Sequence, residues 1–508
     1  MLQRSHVWQG LIGSETAMPE GLGNRPITDV VIDSRLAQAD SLFVALRGEK
    51  TDGHLYLGDA FERGASTALA EPHALEMGLA ARFVMPDGTP LTIEGPPAQT
   101  SAQVVGQEPR VALPVVFIVP DAVAGLQRLA SFWRSQMPAA VIAITGSVGK
   151  TTTKETVANV LAQRFTTLRS SGNLNNELGL PLVLLHLSPE HQRVVLEMGM
   201  YASGEIARLC EIARPRIGIV TNIGPTHLER MGSIERIAKA KAELVQALPP
   251  ASEGGIALLN GDDPLVRAMG SLTRARVFSY GLTESNDLWA DEITSEGLEG
   301  IRFRFHYRKE ILHLKVPMLG RHSVHTAMRG AAAGLAEGLS WTEIINGLQD
   351  VRGQLRLMVV SGLRDATLID DTYNASPASM LAALNLLEDI IKESGTPRRD
   401  ERRSIAVLGE MFELGSYEEE GHRLVGGRAA QVVAKLVTVG ERARWIADEA
   451  LSSGMQPADV HPVGNNADAV AILQGLMRPG DVVLIKGSRS AAMENIVDAL
   501  SRSRSREG

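Results

Sequence analysis

Short apolar runs alternate with amphipathic stretches along most of this chain, and polar turns separate them. The clearest example begins with the apolar residues 141–144, which predict a buried strand. A glycine-rich turn over 145–151 follows, and residues 152–161 repeat apolar positions at the spacing of a helix. We interpret the rest of the chain around this strand, turn and helix.

The turn has the composition of a phosphate-binding loop. Gly146 and Gly149 let backbone N–H groups point inward, where a side chain would collide with an anion. Lys150 can reach the outer phosphates of a nucleotide, and the Thr151 hydroxyl can contact Mg²⁺. Ile144 stands where the usual pattern has a further glycine, so this is a shortened TGxxGKT form. A chance glycine-rich turn is the alternative, but the order of the elements favours a nucleoside triphosphate site.

The alternation predicts an α/β protein of three segments. Residues 1–120 carry short strands and helices, and 85–114, rich in Pro, Gly, Gln, Thr and Ala, predict an irregular and disordered insertion. Residues 121–350 predict a doubly wound, mainly parallel sheet with an antiparallel edge between 288 and 316. Residues 351–508 predict a smaller Rossmann-like domain, and the lack of GxGxxG after its first strand argues against a dinucleotide cofactor.

Individual elements follow from the same pattern. In the first segment, ITDVVIDSR and DSLFVALRG predict strands, and DGHLYLGDAFERGASTALAE predicts a helix. In the third, TLIDD, IAVLG, KLVTVG and VVLIKG predict strands. The helices predicted there are Pro377–Ile391, Glu418–Ala434, Arg442–Leu451 and Ala491–Leu500, and Pro377 suits a first helical position.

Composition narrows the class of protein. A chain of 508 residues is too long for one core, and its net charge of −8 gives no electrostatic footprint for nucleic acid. The single cysteine, Cys210, excludes an internal disulfide and indicates a reducing compartment; its helical context predicts a buried small hydrophobe. The sequence has neither a signal-peptide pattern nor an apolar run long enough to span a bilayer, so we expect a cytoplasmic protein.

Polar residues at predicted strand ends are candidates for chemistry in the central segment. Glu197 follows an apolar strand, where a carboxylate suits Mg²⁺, although an exposed strand-end acid explains it equally well. His227 follows another strand, and a lone histidine is usually structural. Lys241 lies on a predicted helix, where the ordinary alternative is a solvated lysine, as we expect for Lys239.

Two further groups lie before the third segment. Ser34 and Arg35 end a predicted strand, where a hydroxyl and a guanidinium suit a phosphate or a polar ring; a surface turn is the alternative. Asn173 and Asn176 present amides in the turn GNLNNELGLP, for which a capped loop is the simpler interpretation.

The third segment offers two more groups at its predicted binding edge. Asp371 and Asn374 follow its first strand, in DDTYNASP. Lys486, Ser488 and Arg489 end its last clear strand just before a helix, which predicts an anion site.

Taken in order, these motifs resemble the Mur ligases. The resemblance covers nearly the whole chain outside 85–114, and the order and spacing of the motifs argue against coincidence. The motifs are DSR…SLFVALRG…DGH, TGSVGKTTTKE, GNLNNELGLP, LEMGMYASGEI, NIGPTHLERMGS…AKAKAE, GRHSVHTA, DDTYNASP, GEMFELG and KGSRSAAME.

The resemblance implies three domains that hold a UDP-sugar, ATP and an incoming amine. The DDTYNA and KGSRSAAME stretches favour the activity that joins D-alanyl-D-alanine to the terminal carboxylate of UDP-MurNAc-tripeptide, a step of peptidoglycan precursor synthesis. ATP first converts the carboxylate into an acyl phosphate; the products are UDP-MurNAc-pentapeptide, ADP and phosphate. We expect these small molecules as partners, with no nucleic acid, no membrane insertion and a monomeric chain.

The resemblance also assigns roles to single residues. The catalytic set is Lys150, Glu197, His227, Lys241 and Arg356. The residues expected to bind ATP are Thr145, Gly146, Ser147, Val148, Gly149, Lys150, Thr151, Thr152, Ser323, Thr326 and Asp371. The residues expected to bind the UDP-substrate are Ser34, Arg35, Asn173 and Asn176. Those expected to bind the acceptor are Asn374, Lys486, Ser488 and Arg489. The magnesium ligands that the resemblance implies are Thr151, Glu197, His227 and Lys241. Lys241 belongs to this set only when carbamylated, since it matches a lysine that CO₂ carbamylates in several Mur ligases. Carbamylation needs the neutral amine, whose reference pKa is about 10.4.

One departure from the family bears on the nucleotide. Ser323 and Thr326 occupy the positions of two asparagines, in an HNxxN pattern, that lie close to the adenine. Hydroxyls cannot make the paired contact of an amide, so we predict a weakened adenine site with activity retained. The alternatives are another Mur-type or folylpolyglutamate-synthase-type ligase, a P-loop switch or kinase, and a P-loop binding protein that has lost turnover.

Overall fold

The computed structural model describes residues 1–48, 50–93, 113–350, 358–393 and 402–501. These residues form two compact units. The first comprises Met1–Ile142, Phe165–Gly199 and Glu205–Pro215; the second comprises Ala143–Arg164, Met200–Gly204 and the described part of Arg216–Gly508. Both are α/β, as predicted. The domain boundaries at 120 and 350 stay predictions.

A six-stranded sheet forms the core of the N-terminal segment. Its order is β1-β2-β3-β6-β4-β5, and all neighbours are parallel except β4 and β5. Strands β2, β3 and β6 are buried throughout, which fits their continuous apolar runs. The elements are α1 (Arg4–Leu11), β1 (Val30–Val31), β2 (Leu42–Val44), α2 (Leu57–Glu62), β3 (Thr67–Ala70), β4 (Ala81–Val84), β5 (Pro90–Ile93) and β6 (Val115–Ile118).

Two predictions for this segment were wrong. The stretch predicted as one helix, 52–71, is helical only over α2 and a short 3₁₀ turn, and its TALA run forms β3, because a buried four-residue apolar run fits a strand. The insertion predicted as irregular, 85–114, contains β5, which pairs with β4. Residues 94–112 lie outside the described ranges.

The central segment supplies elements to both units. These are α3 (Ala122–Ser135), β7 (Ala140–Thr145), α4 (Lys150–Leu161), β8 (Thr167–Arg169), α5 (Gly179–Leu185), β9 (Arg193–Glu197), α6 (Glu205–Ala213), β10 (Ile217–Val220), α7 (Leu228–Met231), α8 (Ile234–Gln246), β11 (Ile256–Asn260), α9 (Pro264–Ala268), β12 (Arg276–Gly281), β13 (Leu288–Ser295), β14 (Ile301–Tyr307), β15 (Glu310–Val316), α10 (Ser323–Ala336) and α11 (Trp341–Gln349). In the first unit, α3 packs against α1, α5 and α6, and β8 pairs with β9 in parallel. Cys210, on α6, is buried as predicted.

In the second unit the central strands follow one another in sequence order. Strands β10 to β13 are parallel, and β13, β14 and β15 are antiparallel, which confirms the predicted edge. Helix α4 packs against α10 and α11. The end of β7 lies beside β10, because the Thr221 N–H donates to the Thr145 carbonyl at 2.9 Å.

The C-terminal segment is the predicted Rossmann-like domain. Its sheet order is β16-β17-β21-β18-β19-β20, parallel except for β16, and an apolar core covers each face. Strands β16 and β20 and helix α15 were not predicted. The elements are β16 (Met358–Ser361), β17 (Thr367–Asp371), α12 (Pro377–Glu393), β18 (Ser404–Gly409), α13 (Glu418–Val432), β19 (Lys435–Val439), α14 (Arg444–Ser452), β20 (Val460–Val463), α15 (Asn466–Leu476), β21 (Val482–Lys486) and α16 (Glu494–Leu500). Across the described ranges, none of the helices has the length and apolarity to cross a bilayer.

Candidate active site

The predicted strand, turn and helix form the loop between β7 and α4. Thr145 ends β7, and Lys150 begins α4. Gly146 has φ +146°, and a Cβ there would lie 1.8 Å from Thr221 Oγ1. No other residue fits this position without moving Thr221, so the close approach of two strand ends explains the glycine.

Two residues after β10 brace this loop, and sequence analysis assigned neither of them. The Val148 N–H donates to Asn222 Oδ1 at 2.9 Å, and Asn222 Nδ2 donates to the Val148 carbonyl at 3.0 Å. Thr221 Oγ1 donates to the same carbonyl at 2.7 Å. The loop is therefore held in one shape from the neighbouring strand end. The NIG motif directly after an apolar strand was the available signal.

Two ammonium groups converge on the loop. Lys150 Nζ donates to the Gly146 carbonyl at 2.9 Å, and Lys241 Nζ donates to the same carbonyl at 3.1 Å. Lys241 is only 2% exposed, whereas Lys239 is exposed, as expected. The solvated-lysine alternative for Lys241 was therefore wrong. Two cations this close favour an anionic ligand between or beside them.

His227 lies near the same two cations. It directly precedes α7 and has a left-handed backbone, and its Nδ1 is 2.5 Å from Glu413 Oε2. Burial lowers the pKa of His227; Lys150 and Lys241 lower it further, and Glu413 opposes them. The second unit thus brings together three of the predicted catalytic residues.

Glu197 lies in the first unit, at the end of β9. It is 3% exposed, and Asn175 Nδ2 donates to its Oε1 at 2.9 Å. Sequence analysis missed Asn175 and named its neighbours instead. Asn176 Oδ1 accepts the Gly179 N–H at 2.9 Å at the start of α5, as the simpler interpretation of a capped loop predicts. Asn173 is exposed. Asn175 thus orients a buried carboxylate.

The residues present fit Mg²⁺. In the second unit the Thr151 hydroxyl is a hard oxygen donor; in the first unit, taken by itself, the buried Glu197 carboxylate is another. Next to His227, the buried Thr226 Oγ1 has no hydrogen-bond partner among the described residues, which leaves an oxygen for a hydrated ion. Carbamylation of Lys241 fits as well, because an anionic product would lie beside Lys150.

The positions that depart from the family lie at the start of α10. Ser323 Oγ donates to the Leu319 carbonyl at 2.6 Å, so the chain itself uses this hydroxyl, and Thr326 is buried. Farther along α10, the buried Arg329 donates to Thr153 Oγ1 at 2.8 Å and to the Tyr280 hydroxyl at 3.1 Å. Arg329 therefore ties α10 and β12 to the first turn of α4.

Of the candidate residues in the C-terminal segment, three form one cluster, and Ser488 and Arg489 each make a separate contact. Lys486 Nζ is 2.7 Å from Asp371 Oδ2 and donates to the Asn374 carbonyl at 2.8 Å. Ser488 Oγ accepts the Phe412 N–H at 3.1 Å. Arg489 is exposed and pairs with Glu494 at 3.0 Å. Arg356 lies outside the described residues.

In the N-terminal segment, Ser34 and Arg35 form a short 3₁₀ turn after β1. Ser34 is buried, whereas the Arg35 side chain is 80% exposed and pairs with Asp33 at 2.6 Å. The hydrogen bonds from Arg35 hold the pKa of Asp33 at about 2. A ligand phosphate would have to compete with Asp33 for this guanidinium.

A second group of metal-type ligands, Asp52, His54 and His73, also lies in the first unit. His54 Nδ1 is 2.6 Å from Asp52 Oδ1, and His54 Nε2 accepts the Glu71 N–H at 2.9 Å. The ring therefore donates from one nitrogen and accepts at the other, which leaves no lone pair for an ion. This group is a hydrogen-bonded support for the turn after β2.

Comparison with known proteins places this site in a family. Domain models match three parts of the chain: "Mur ligase family, catalytic domain" over residues 26–107, "Mur ligase middle domain" over 144–334, and "Mur ligase, glutamate ligase domain" over 355–489. The chain belongs to the Mur ligase family of ATP-dependent carbon–nitrogen ligases.

Its relatives include UDP-N-acetylmuramoyl-tripeptide–D-alanyl-D-alanine ligases. That of Mycobacterium tuberculosis is 35% identical over 502 residues, covering 95% of this chain and 94% of the relative. That of Escherichia coli is 32% identical over 477 residues, covering 93% of each. A crystal structure of MurF from Acinetobacter baumannii is 27% identical and covers 97% of both chains with a TM-score of 0.75. MurF from Thermotoga maritima, 25% identical with a TM-score of 0.72 over 95% of this chain and 98% of that one, was solved in complex with ADP.

Proposed function

We propose that this chain joins D-alanyl-D-alanine to the terminal carboxylate of UDP-MurNAc-tripeptide, with cleavage of ATP to ADP and phosphate. The observation that carries the proposal is the meeting of Lys150 and Lys241 at the Gly146 carbonyl of the phosphate loop, with both ammonium groups lowering the pKa of His227. This meeting occurs in a chain whose similarity to ligases of that name covers more than nine-tenths of both sequences.

The chemistry requires activation of the carboxylate. A carboxylate is a poor acyl donor because oxide is a poor leaving group, so its oxygen first attacks the γ-phosphorus of ATP and displaces ADP. The dipeptide amine then attacks the acyl phosphate through a tetrahedral intermediate, loses a proton and expels phosphate. Positioning and charge stabilisation supply most of the rate in such a sequence.

The residues around the loop divide this work. Gly146 and the brace formed by Thr221 and Asn222 keep the loop open to a triphosphate. Lys150, now on the Gly146 carbonyl, is close enough to shift onto the outer phosphates and stabilise charge there. The buried Lys241 stands beside it.

Magnesium and a carbamate are the cofactors we propose. In the second unit, Thr151 and His227 would hold the metal, together with Lys241 once carbamylated; the resemblance to the Mur ligases adds Glu197 to this set. The bound metal would neutralise charge on the transferring phosphoryl group. Asn175 keeps the Glu197 carboxylate in one orientation for this role.

The other substrates fall to the outer segments. We assign the uridine nucleotide to the region of Ser34 and Arg35. We assign the incoming dipeptide to Asn374, Lys486, Ser488 and Arg489, next to Asp371, which is assigned to ATP. The buried ammonium of Lys486 is held by a carboxylate and a carbonyl. The ion pair therefore places an ammonium and a carboxylate in fixed positions at the carboxyl edge of the sheet, where α/β proteins bind ligands.

The test is phosphate release from ATP with UDP-MurNAc-tripeptide, with and without D-alanyl-D-alanine, and identification of the product by mass. Release and pentapeptide formation that depend on both substrates support the proposal. Hydrolysis of ATP without either substrate would instead identify a P-loop switch. Absence of turnover with normal ADP binding would identify a binding protein, and each of these results would refute ligation.

A further inference from the structure

The loop over residues 410–415, between β18 and α13, carries the GEMFELG motif, to which the proposed reaction assigns no role. It is bonded to the acceptor segment: the Phe412 N–H donates to Ser488 Oγ at 3.1 Å, and the Ser488 N–H donates to the Glu410 carbonyl at 3.0 Å. Leu414, in the same loop, is buried in the C-terminal core. The loop is therefore a fixed part of the C-terminal domain.

The far end of the loop contacts the start of α7. Glu413 Oε2 lies 2.5 Å from His227 Nδ1, an ion-pair contact in which the Nδ1–H is not aligned with the oxygen as in a hydrogen bond. The backbones also approach closely, because a Cβ on Gly415 would lie 2.9 Å from the Glu229 Cα, and Gly415 has φ +55°. A glycine is needed here for the carboxylate to reach the imidazole.

Stability does not account for this contact. His227 has φ +56° and Glu413 has φ +64°, a left-handed conformation that costs free energy in residues with a side chain. The two side chains are 25% and 40% exposed, and partly exposed ion pairs add little stability. Strain at both ends of a weak pair is characteristic of functional contacts rather than of folding contacts.

We propose that Glu413 is a positioning residue of the ATP site, supplied by the C-terminal domain to orient His227. A histidine that binds a metal commonly donates its other ring N–H to a carboxylate, which fixes the tautomer and the ring direction. Here the Glu413 carboxylate would hold the ring through its charge at Nδ1, which would leave Nε2 for the ion. The inference rests on the proposed function, because His227 is a metal ligand there.

The test compares Glu413→Ala and Glu413→Gln with Glu419→Gln. Glu419 is a matched control, since it is an exposed glutamate of the same domain that pairs with Arg423 on α13. Binding of Mn²⁺ in the presence of a non-hydrolysable ATP analogue is followed by electron paramagnetic resonance, and ligation is measured as a function of Mg²⁺ concentration.

We expect Glu413→Ala to weaken Mn²⁺ binding about 10- to 100-fold, the usual effect of losing such a partner. The Mg²⁺ concentration for half-maximal ligation should rise in parallel and kcat should recover at high Mg²⁺, while Glu419→Gln matches the wild type. Glu413→Gln keeps the size of the side chain but not its charge, so its Mn²⁺ affinity should lie between those of Glu413→Ala and Glu419→Gln.

Two results would overturn the inference. One is wild-type Mn²⁺ affinity in Glu413→Ala; the other is a loss of ligation that no Mg²⁺ concentration restores, which would mark a purely structural contact. Absence of ligation in the wild type would refute the proposed function instead, so the two failures are distinguishable.

Discussion

Replacement of Asn222 with alanine isolates the brace of the phosphate loop. The change removes both hydrogen bonds between Asn222 and Val148, which measure 2.9 and 3.0 Å. The Val148 carbonyl keeps its 2.7 Å bond from Thr221, so the Val148 N–H alone loses its partner. An orphaned buried donor costs about 1–3 kcal/mol; because Val148 is half-buried, we take the lower part, about 1–1.5 kcal/mol.

The lost hydrogen bond destabilises the loop conformation that binds ATP. If this cost appears fully in binding, Asn222→Ala weakens ADP and ATP by about 5- to 12-fold, since about 1.4 kcal/mol is a factor of ten. Calorimetric titration with ADP gives the dissociation constant directly, and KM for ATP should follow. Thr221→Val is the comparison, because Asn222 still satisfies the Val148 carbonyl; we expect less than about a threefold change. A folded Asn222→Ala protein that binds ADP within twofold of wild type would refute the reasoning.

Three further predictions follow from the same geometry. Gly146→Ala places a methyl group against Thr221, so ADP binding should be lost in titration calorimetry while the rest of the fold, followed by circular dichroism, persists. Lys241→Arg keeps the positive charge of the unmodified lysine but cannot be carbamylated, so ligation should fall by at least about 100-fold. The ¹³C carbamate resonance of protein equilibrated with labelled bicarbonate should also disappear. Asp481→Asn breaks the fully buried carboxylate's 2.6 Å pair with Arg403, and should cost about 3 kcal/mol in urea unfolding. Wild-type values in any of these would contradict the corresponding contact.

The local part of the site was predictable because its residues are neighbours in sequence. A four-residue apolar run, a turn with two glycines and an amphipathic helix can be identified without tertiary information. They place Gly146, Gly149 and Lys150 at the junction of a strand and a helix, where the structure has them. The buried strands of the central and C-terminal sheets, β7, β9, β10, β11, β18, β19 and β21, were predictable for the same reason, since their apolar runs are continuous.

Lys241 is an instructive intermediate case. The buried residues of α8 include Ile237, Lys241, Leu244 and Val245, so the lysine lies on the apolar stripe of its helix, whereas Lys239 lies off it. Periodicity alone therefore carried a signal that this lysine faces inward. What it faces, the Gly146 carbonyl, depends on how the sheet assembles.

Other features depend on tertiary contacts or on weak local patterns. Strands β5 and β20 are short, partly exposed and contain proline, so neither matches the apolar pattern of a buried strand. The contact between His227 and Glu413 joins residues that are far apart in the chain. Asn175 was missed because three asparagines in one turn are equivalent until the fold directs one of them at Glu197.

The central claim is that a triphosphate held at this loop activates a peptide carboxylate for capture by a dipeptide amine. The most direct measurement is pentapeptide formation by Lys150→Ala, with Lys239→Ala, a change at an exposed lysine, as the control. We predict that Lys150→Ala makes at least about 100-fold less product because the outer phosphates lose their cation, while Lys239→Ala matches the wild type. Undiminished synthesis by Lys150→Ala would contradict the account.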